Sequence, residues 1–377
     1  MNKLFNFFLV FFLFFSFSAF PINTNAPQAI VFDFNTNEVL FEKNSNQFIA
    51  PASMTKIMTS YIVFDRLKNT SLTLKDKCIV SKKAYKMGGS RMFLEINTKV
   101  SINDLLRGII IQSGNDASVA IAECLSGTEE NFSSLMNSFA KKIGLQNSNF
   151  TNSSGWPEEN HYSTVKDLSI LTKAIINDFP EFYSFFMEKS FTYNGIRQPN
   201  RNKLLTEVDG ADGLKTGFTK ASGWGIAASA IRENRRIIIV INGANSSRSR
   251  LIESEKLINW AFRETSQQKI LNKGQVIKEV DVWLGSKPTA NLVIEKDIIT
   301  TLSYEQLKTI KSSIEYNKPI SAPINKGDII GQMTIKIKGK QNMQIPLIAD
   351  KNIKNINPLF RVFAAIKYLI FGTSLNE

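Results

Sequence analysis

The chain has 377 residues, 43% hydrophobic and 21% charged, with 46 Lys and Arg against 33 Asp and Glu for a formal net charge of +13. That length and apolar content provide for a large buried core in about two domains, and exclude a disordered chain or a disulfide-stapled miniprotein. Two cysteines, Cys78 and Cys124, and one histidine, His161, argue against metal binding and a CxxC redox pair, so no cofactor is expected. A Ser-His-Asp triad is also excluded unless His161 serves it, which leaves lysine or a carboxylate to activate any nucleophile. The positive excess points to a membrane or envelope polyanion; with no zinc finger, RNA-binding signature or Arg-rich arm, nucleic acid is not expected.

In chain order, Lys3 precedes an uncharged run from Leu4 to Phe20, then Pro21 and a stretch of small polar residues: a secretory signal over residues 1–26, cut after Ser18, Ala19 or Ala26, or else an uncleaved anchor. Beyond the membrane, Cys78 and Cys124 either form one disulfide or stay as two buried thiols. Two β-rich runs, Ala29 to Phe34 and Glu38 to Glu42, flank the turn Asn35-Thr-Asn and predict a hairpin. After Pro51, Met54, Ile57, Met58, Tyr61, Ile62 and Phe64 recur at helical spacing from Ser53 to Leu67. Further helices are predicted over Ile102 to Ile111, Ala117 to Leu125, Glu130 to Ile143 and Val165 to Ile176. A second hairpin follows, Gly225 to Ile231 and Arg236 to Ile241, then a helix from about Ser249 to Arg263. Hairpin, helices, hairpin, helix is the order of an α+β fold, one antiparallel sheet covered by helices, over residues 27–266.

Residues 267–350 read as a small β domain, with strand patterns at Val276 to Trp283, Leu292 to Glu295 and Gly331 to Ile337. In residues 351–377, Leu359, Val362, Phe363, Ile366, Leu369 and Ile370 share one helical face, with Arg361, Tyr368 and Lys367 elsewhere. A helix over Pro358 to Phe371, roughly 14 residues, is too short to span a bilayer but suits its interface, touching phospholipid through that face; docking on the protein's own core is the alternative.

Three short strings carry the chemistry. Ser53-Met-Thr-Lys56 places a hydroxyl and an amine at i and i+3, on one face of a helix whose N-terminus favours an oxyanion. Burial beside other cations lowers a lysine's pKa toward that of a base. Ser113-Gly-Asn115 lies in a turn between two helices and offers a hydroxyl for proton relay and an amide for a substrate carbonyl. Lys215-Thr-Gly217, at the entry to the β-rich half, offers Lys215 and Thr216 to an anionic group and, at Gly217, room for a substrate backbone. SxxK, SxN and KTG in this order match the penicillin-binding and class A β-lactamase pattern.

With these strings and with Pro51 to Thr59, Asn194-Gly-Ile-Arg-Gln, Asp212 to Thr219 and Ala322-Pro-Ile-Asn-Lys-Gly-Asp, the chain resembles the low-molecular-mass penicillin-binding proteins of the D-alanyl-D-alanine carboxypeptidase family over nearly its whole length. The resemblance implies that Ser53 is the nucleophile, Lys56 the general base, and Ser113 with Lys215 the proton relay to the leaving amine. It also implies that Asn115 binds the peptide and Thr216 the terminal carboxylate. The N–H groups of Ser53 and of Phe218 or Thr219 would form the oxyanion hole. A cation for that carboxylate falls on Arg250, with Arg197 as second candidate. The implied substrate is the peptidoglycan pentapeptide ending in D-Ala-D-Ala, with β-lactams as inhibitors, and the implied place is the outer, periplasmic face of the bacterial cytoplasmic membrane, held peripherally. Alternatives on the same fold are a D,D-endopeptidase, an inert envelope-binding protein, and a β-lactamase using Glu158 or Glu159; His161 is taken as a loop residue.

Overall fold

The computed structural model describes residues 22–358 together with Phe360, Val362, Phe363 and Ile366. The uncharged run Leu4 to Phe20 with its cleavage positions after Ser18 and Ala19, and Leu359, Arg361, Lys367, Tyr368, Leu369, Ile370 and Phe371, lie outside the described residues.

The two predicted hairpins meet in one sheet. Strand Gln28–Asp33 pairs antiparallel with both Glu38–Lys43 and Arg235–Ala244, and the sheet continues through Gly223–Arg232 to Ala211–Thr219 at its edge. Ile237 through Ile241 are each fully buried, which explains their unbroken apolar run: alternate residues point to opposite faces and both faces are covered. Ile238 and Val240 join the larger core beneath helices Lys56–Asn69 and Val165–Asp178; Ile237, Ile239 and Ile241 pack with Leu257, Ile258 and Ala261 of helix Ser247–Glu264. Truncating any of these isoleucines to Ala costs about 2–5 kcal/mol.

Helix Lys56–Asn69 is the hub, with every residue from Lys56 to Phe64 buried. The predicted helices 117–125, 130–143 and 165–176 are Asn115–Ser126, Glu129–Lys142 and Val165–Asp178. The helix predicted over 102–111 differs: α-helical turns end at Arg107, and Gly108–Gln112 widens into a π-helical turn. A Cβ on Gly108 would sit 2.2 Å from the Met92 sulfur, so that side chain occupies the space an ordinary helical residue would need. Of the two cysteine readings, the disulfide is the one present, joining Cys78 in strand Lys77–Ile79 to Cys124 in helix Asn115–Ser126.

Beyond Glu264 lies a β-rich unit. Its larger sheet runs Lys311–Tyr316, Ile329–Lys336, Met343–Ala349, Thr289–Val293, Val276–Trp283 and Ile320–Ser321. Strands Thr265–Leu271 and Ile298–Ser303 pair separately. Five of these strands, at 265, 298, 311, 320 and 343, are absent from the expectation; Lys-Ser-Ser-Ile-Glu-Tyr, for one, buries too few side chains to show a period. Polar contacts tie the unit to the first sheet: fully buried Asp33 accepts bonds from Arg235, Gln267 and Thr301, and Glu38 accepts from Thr300, Thr301 and Lys340. Phe360, Val362, Phe363 and Ile366 are exposed. No helix among the described residues is long and apolar enough to cross a membrane.

Candidate active site

Ser53 lies in a 3-10 turn, Ala52–Thr55, that leads into the hub helix at Lys56. The sequence spacing therefore holds, although the first turn is tighter than α. Lys56 is fully buried, and its Nζ reaches Ser53 Oγ at 3.2 Å, Asn115 Oδ1 at 2.7 Å and the Ser154 carbonyl at 2.5 Å. Burial pulls its pKa from the ordinary lysine value down to about 7; the neighbouring Arg201 guanidinium acts in the same direction, and Asp116 and Glu129 oppose it. In the neutral amine two N–H bonds suffice for the Asn115 and Ser154 oxygens, which accept only, so the lone pair is left for the Ser53 hydroxyl. Two fixed acceptors thus aim the amine at the Ser53 hydroxyl.

Ser113 ends the π-helical turn in the left-handed region, φ 67°, a conformation that costs a non-glycine residue about 1–3 kcal/mol. That kink, followed by Gly114, starts the next helix at Asn115, with the Ser113 side chain in the cavity wall and the Asn115 side chain bonded to Lys56. Lys215 Nζ donates to Ser113 Oγ at 2.9 Å and to the Thr216 carbonyl at 3.1 Å. Burial, reinforced by the charges of Lys56, Arg201 and Arg250, holds the Lys215 pKa well below the ordinary lysine value. Asn115 is more committed than expected, since its Nδ2 also donates to the Gly88 carbonyl at 2.9 Å. Gly217 lines the cavity and has a further reason beyond the expected one. A Cβ there would lie 2.9 Å from the Pro51 carbonyl, so the glycine makes room for the protein's own serine-bearing turn.

A cavity of about 350 Å³ is lined by Ser53, Ser113, Thr216, Arg201, Lys203 and Arg250, with no acidic residue in its wall. Arg250, on the first turn of helix Ser247–Glu264, is 6% exposed, and burial lowers its pKa to about 10. Arg197 is a correction: it lies exposed on the short hairpin strand Ile196–Pro199, opposite Thr192, and is not in the cavity wall. Arg201, four residues on, lines the cavity in its place, its backbone N–H donating to the carbonyl of Ile111 beside the Ser113 turn. The signal was present as a second arginine in the same segment, but only the hairpin's end decides which one turns inward.

His161 is a loop residue, as expected, but a buried one. Residues 156–160 are exposed as a Pro- and Glu-rich loop should be, but His161 is buried, accepting from Thr151 N–H at Nδ1 and donating from Nε2 to Thr55 Oγ1 at 2.8 Å. Burial lowers its pKa to about 4, so it is a neutral strut behind the turn. Asn152 is a further residue that motif reading missed: its Oδ1 accepts N–H bonds from Ser154, Gly155 and Trp156, shaping the loop that presents the Ser154 carbonyl to Lys56. Glu158 and Glu159 are exposed and neither lines the cavity; Glu158 accepts from Asn152 Nδ2.

Residues 16–246 match the family model described as D-alanyl-D-alanine carboxypeptidase, and residues 266–355 match the penicillin-binding protein 5 C-terminal domain. The chain is 40% identical over 333 residues to the D-alanyl-D-alanine carboxypeptidase DacC of Escherichia coli, covering 86% of this chain and 83% of that one. The solved penicillin-binding protein 5 of Haemophilus influenzae is 36% identical, with a TM-score of 0.76 over 89% of this chain and 99% of that chain. Penicillin-binding protein D2 of Listeria monocytogenes, solved in its ampicillin-bound form, is 28% identical, with a TM-score of 0.60 over 64% of this chain and all of that chain. With an amine aimed at a serine hydroxyl beside a cationic cavity, and these similarities over most of its length, the chain belongs to the serine-type D-alanyl-D-alanine carboxypeptidase family.

Proposed function

We propose that this carboxypeptidase removes the terminal D-alanine from peptidoglycan pentapeptides through an acyl-enzyme on Ser53. The observation that carries the reading is the pair Ser53 Oγ and Lys56 Nζ, 3.2 Å apart, with the amine lowered to about 7. Neutral Lys56 accepts the hydroxyl proton as Oγ attacks the D-Ala-D-Ala carbonyl. The oxyanion forms against the N–H of Ser53 and that of the residue after Gly217. Ser113 and Lys215, 2.9 Å apart, pass a proton to the leaving amine, and D-alanine departs. The proton on Lys56 passes through Ser113 to refill Lys215; water then enters and gives a proton to the neutral Lys56, which returns it to Ser53 Oγ as the ester is hydrolysed. Asn115 supports the peptide; Thr216, Arg250 and Arg201 hold the terminal carboxylate, bidentate recognition being what a guanidinium supplies and an ammonium does not.

The same reading assigns residues 1–26 to an export signal, 27–266 to the catalytic domain, 267–350 to the β domain and 351–377 to an interfacial helix. The exposed side chains of Phe360, Val362, Phe363 and Ile366 support that last assignment. Held there, the enzyme works at the periplasmic face of the cytoplasmic membrane.

The test is intact mass against time after a penicillin is added to the wild type and to Ser53→Ala, beside an assay of released D-alanine. A lasting adduct and D-alanine release, both confined to the wild type, are expected. An adduct on Ser53→Ala refutes the nucleophile, and an adduct that vanishes as the drug is consumed makes the enzyme a β-lactamase.

A further inference from the structure

Arg250 is a buried cation with little to hold it. Among the described residues no carboxylate pairs with it, and its one side-chain hydrogen bond is from Nη2 to Ser247 Oγ, long at 3.3 Å. An acid at this place would fix the guanidinium but would also neutralise it and occupy the donors that an incoming carboxylate needs. What lies against it is a ring: the Arg250 Cζ is 5.3 Å from the centroid of Trp224. An aromatic face attracts a cation through its quadrupole without accepting any of the five N–H donors in the way an oxygen does. Trp224 is held in turn by its cross-strand neighbour. Phe218 pairs directly with it in the sheet, and the two rings are 4.2 Å apart at 31°.

Core packing does not explain this pair, because Phe218 is 47% exposed. Both rings line the catalytic cavity of about 350 Å³ and also a neighbouring open cavity of about 760 Å³, so they form the ridge between the two. Arg250 lines only the catalytic side.

We propose that Trp224, backed by Phe218, is a positioning residue that holds the Arg250 guanidinium in the catalytic cavity with its donors free for the substrate's terminal carboxylate. This rests on Arg250 being the carboxylate anchor, so the test separates the two ideas. Purified full-length enzyme is assayed with a synthetic acyl-tripeptide ending in D-Ala-D-Ala, comparing Trp224→Leu, Trp224→Phe, Arg250→Ala and the double variant Trp224→Leu/Arg250→Ala, each checked for unfolding temperature. Removing a ring that only restrains a binding group should raise KM and leave kcat near wild type. Trp224→Leu should raise KM about tenfold, which corresponds to ~1.4 kcal/mol. Trp224→Phe, which keeps a ring, should recover most of this. In the Arg250→Ala background Trp224→Leu should add less than about twofold, since residues acting through one another are not additive.

Equal KM values for the Leu and Phe variants, a loss confined to kcat, or additive losses in the double variant overturn the proposal. A raised KM in Arg250→Ala with none in Trp224→Leu overturns it and leaves the anchor standing. An unchanged KM in Arg250→Ala removes the anchor and the proposal with it.

Discussion

Lys56 offers the sharpest test, because its role depends on a proton being absent. An ordinary lysine, at 10.5, is neutral in only about 0.03% of molecules at pH 7; at about 7, half are neutral, a gain of roughly 10³-fold in available base. The cause is burial, and the energy involved is ~4–5 kcal/mol at 1.36 kcal/mol per pKa unit. In the wild type the rate of penicillin acylation should rise with pH and level off above about 7, since the proton has to leave Nζ before Ser53 can attack. Lys56→Arg keeps a long cationic side chain but not a removable proton. Its acylation rate should fall by about 10²–10⁴, the usual worth of a general base, and the residual rate should lose the rise near pH 7. Arg201→Gln removes a cation that disfavours charge on Lys56, so the midpoint should move to higher pH while the plateau drops. The assay is intact-mass acylation from pH 5 to 9. A wild-type profile flat from pH 6 to 8, or a Lys56→Arg variant with the same rise, would refute the assignment of the base.

Two other sites give predictions. His161 has its folded pKa lowered to about 4 from 6.5, so as pH falls the unfolded chain takes the proton first; its contribution is complete above about pH 6.5 and is lost toward pH 4. Between pH 7 and pH 5 the loss is about 2 kcal/mol, to be read by urea unfolding of the wild type against His161→Gln, which should show a smaller drop; identical drops refute the strut. Gly155 has φ +78°, and a Cβ there would lie 1.8 Å from the Ala52 carbonyl. Gly155→Ala should therefore displace the adjoining Ser154 carbonyl from Lys56, lowering the unfolding temperature and slowing acylation by about tenfold or more, through strain of about 1–3 kcal/mol. Unchanged acylation kinetics would show that the Ser154 carbonyl does not orient the amine.

What the amino-acid order determines by itself is whatever depends on near neighbours. Apolar periods placed helices 56–69, 115–126, 165–178 and 247–264 within about three residues of where they lie, and the two flanking hairpins implied one antiparallel sheet. Ser53 and Lys56 are three apart on one turn, so their contact is written in the spacing. Where burial and partners come from distant segments, only the tertiary structure decides. The Ser154 carbonyl that aims Lys56 is 98 residues away, and Ser113 is 102 residues from the Lys215 that bonds it. Arg201 rather than Arg197 enters the cavity because a short hairpin ends between them, and His161 is neutral because the chain folds it against Thr55. A side chain's pKa, its free donors and its aim are set by what packs around it, and that packing forms only when the sheet and helices close on one another.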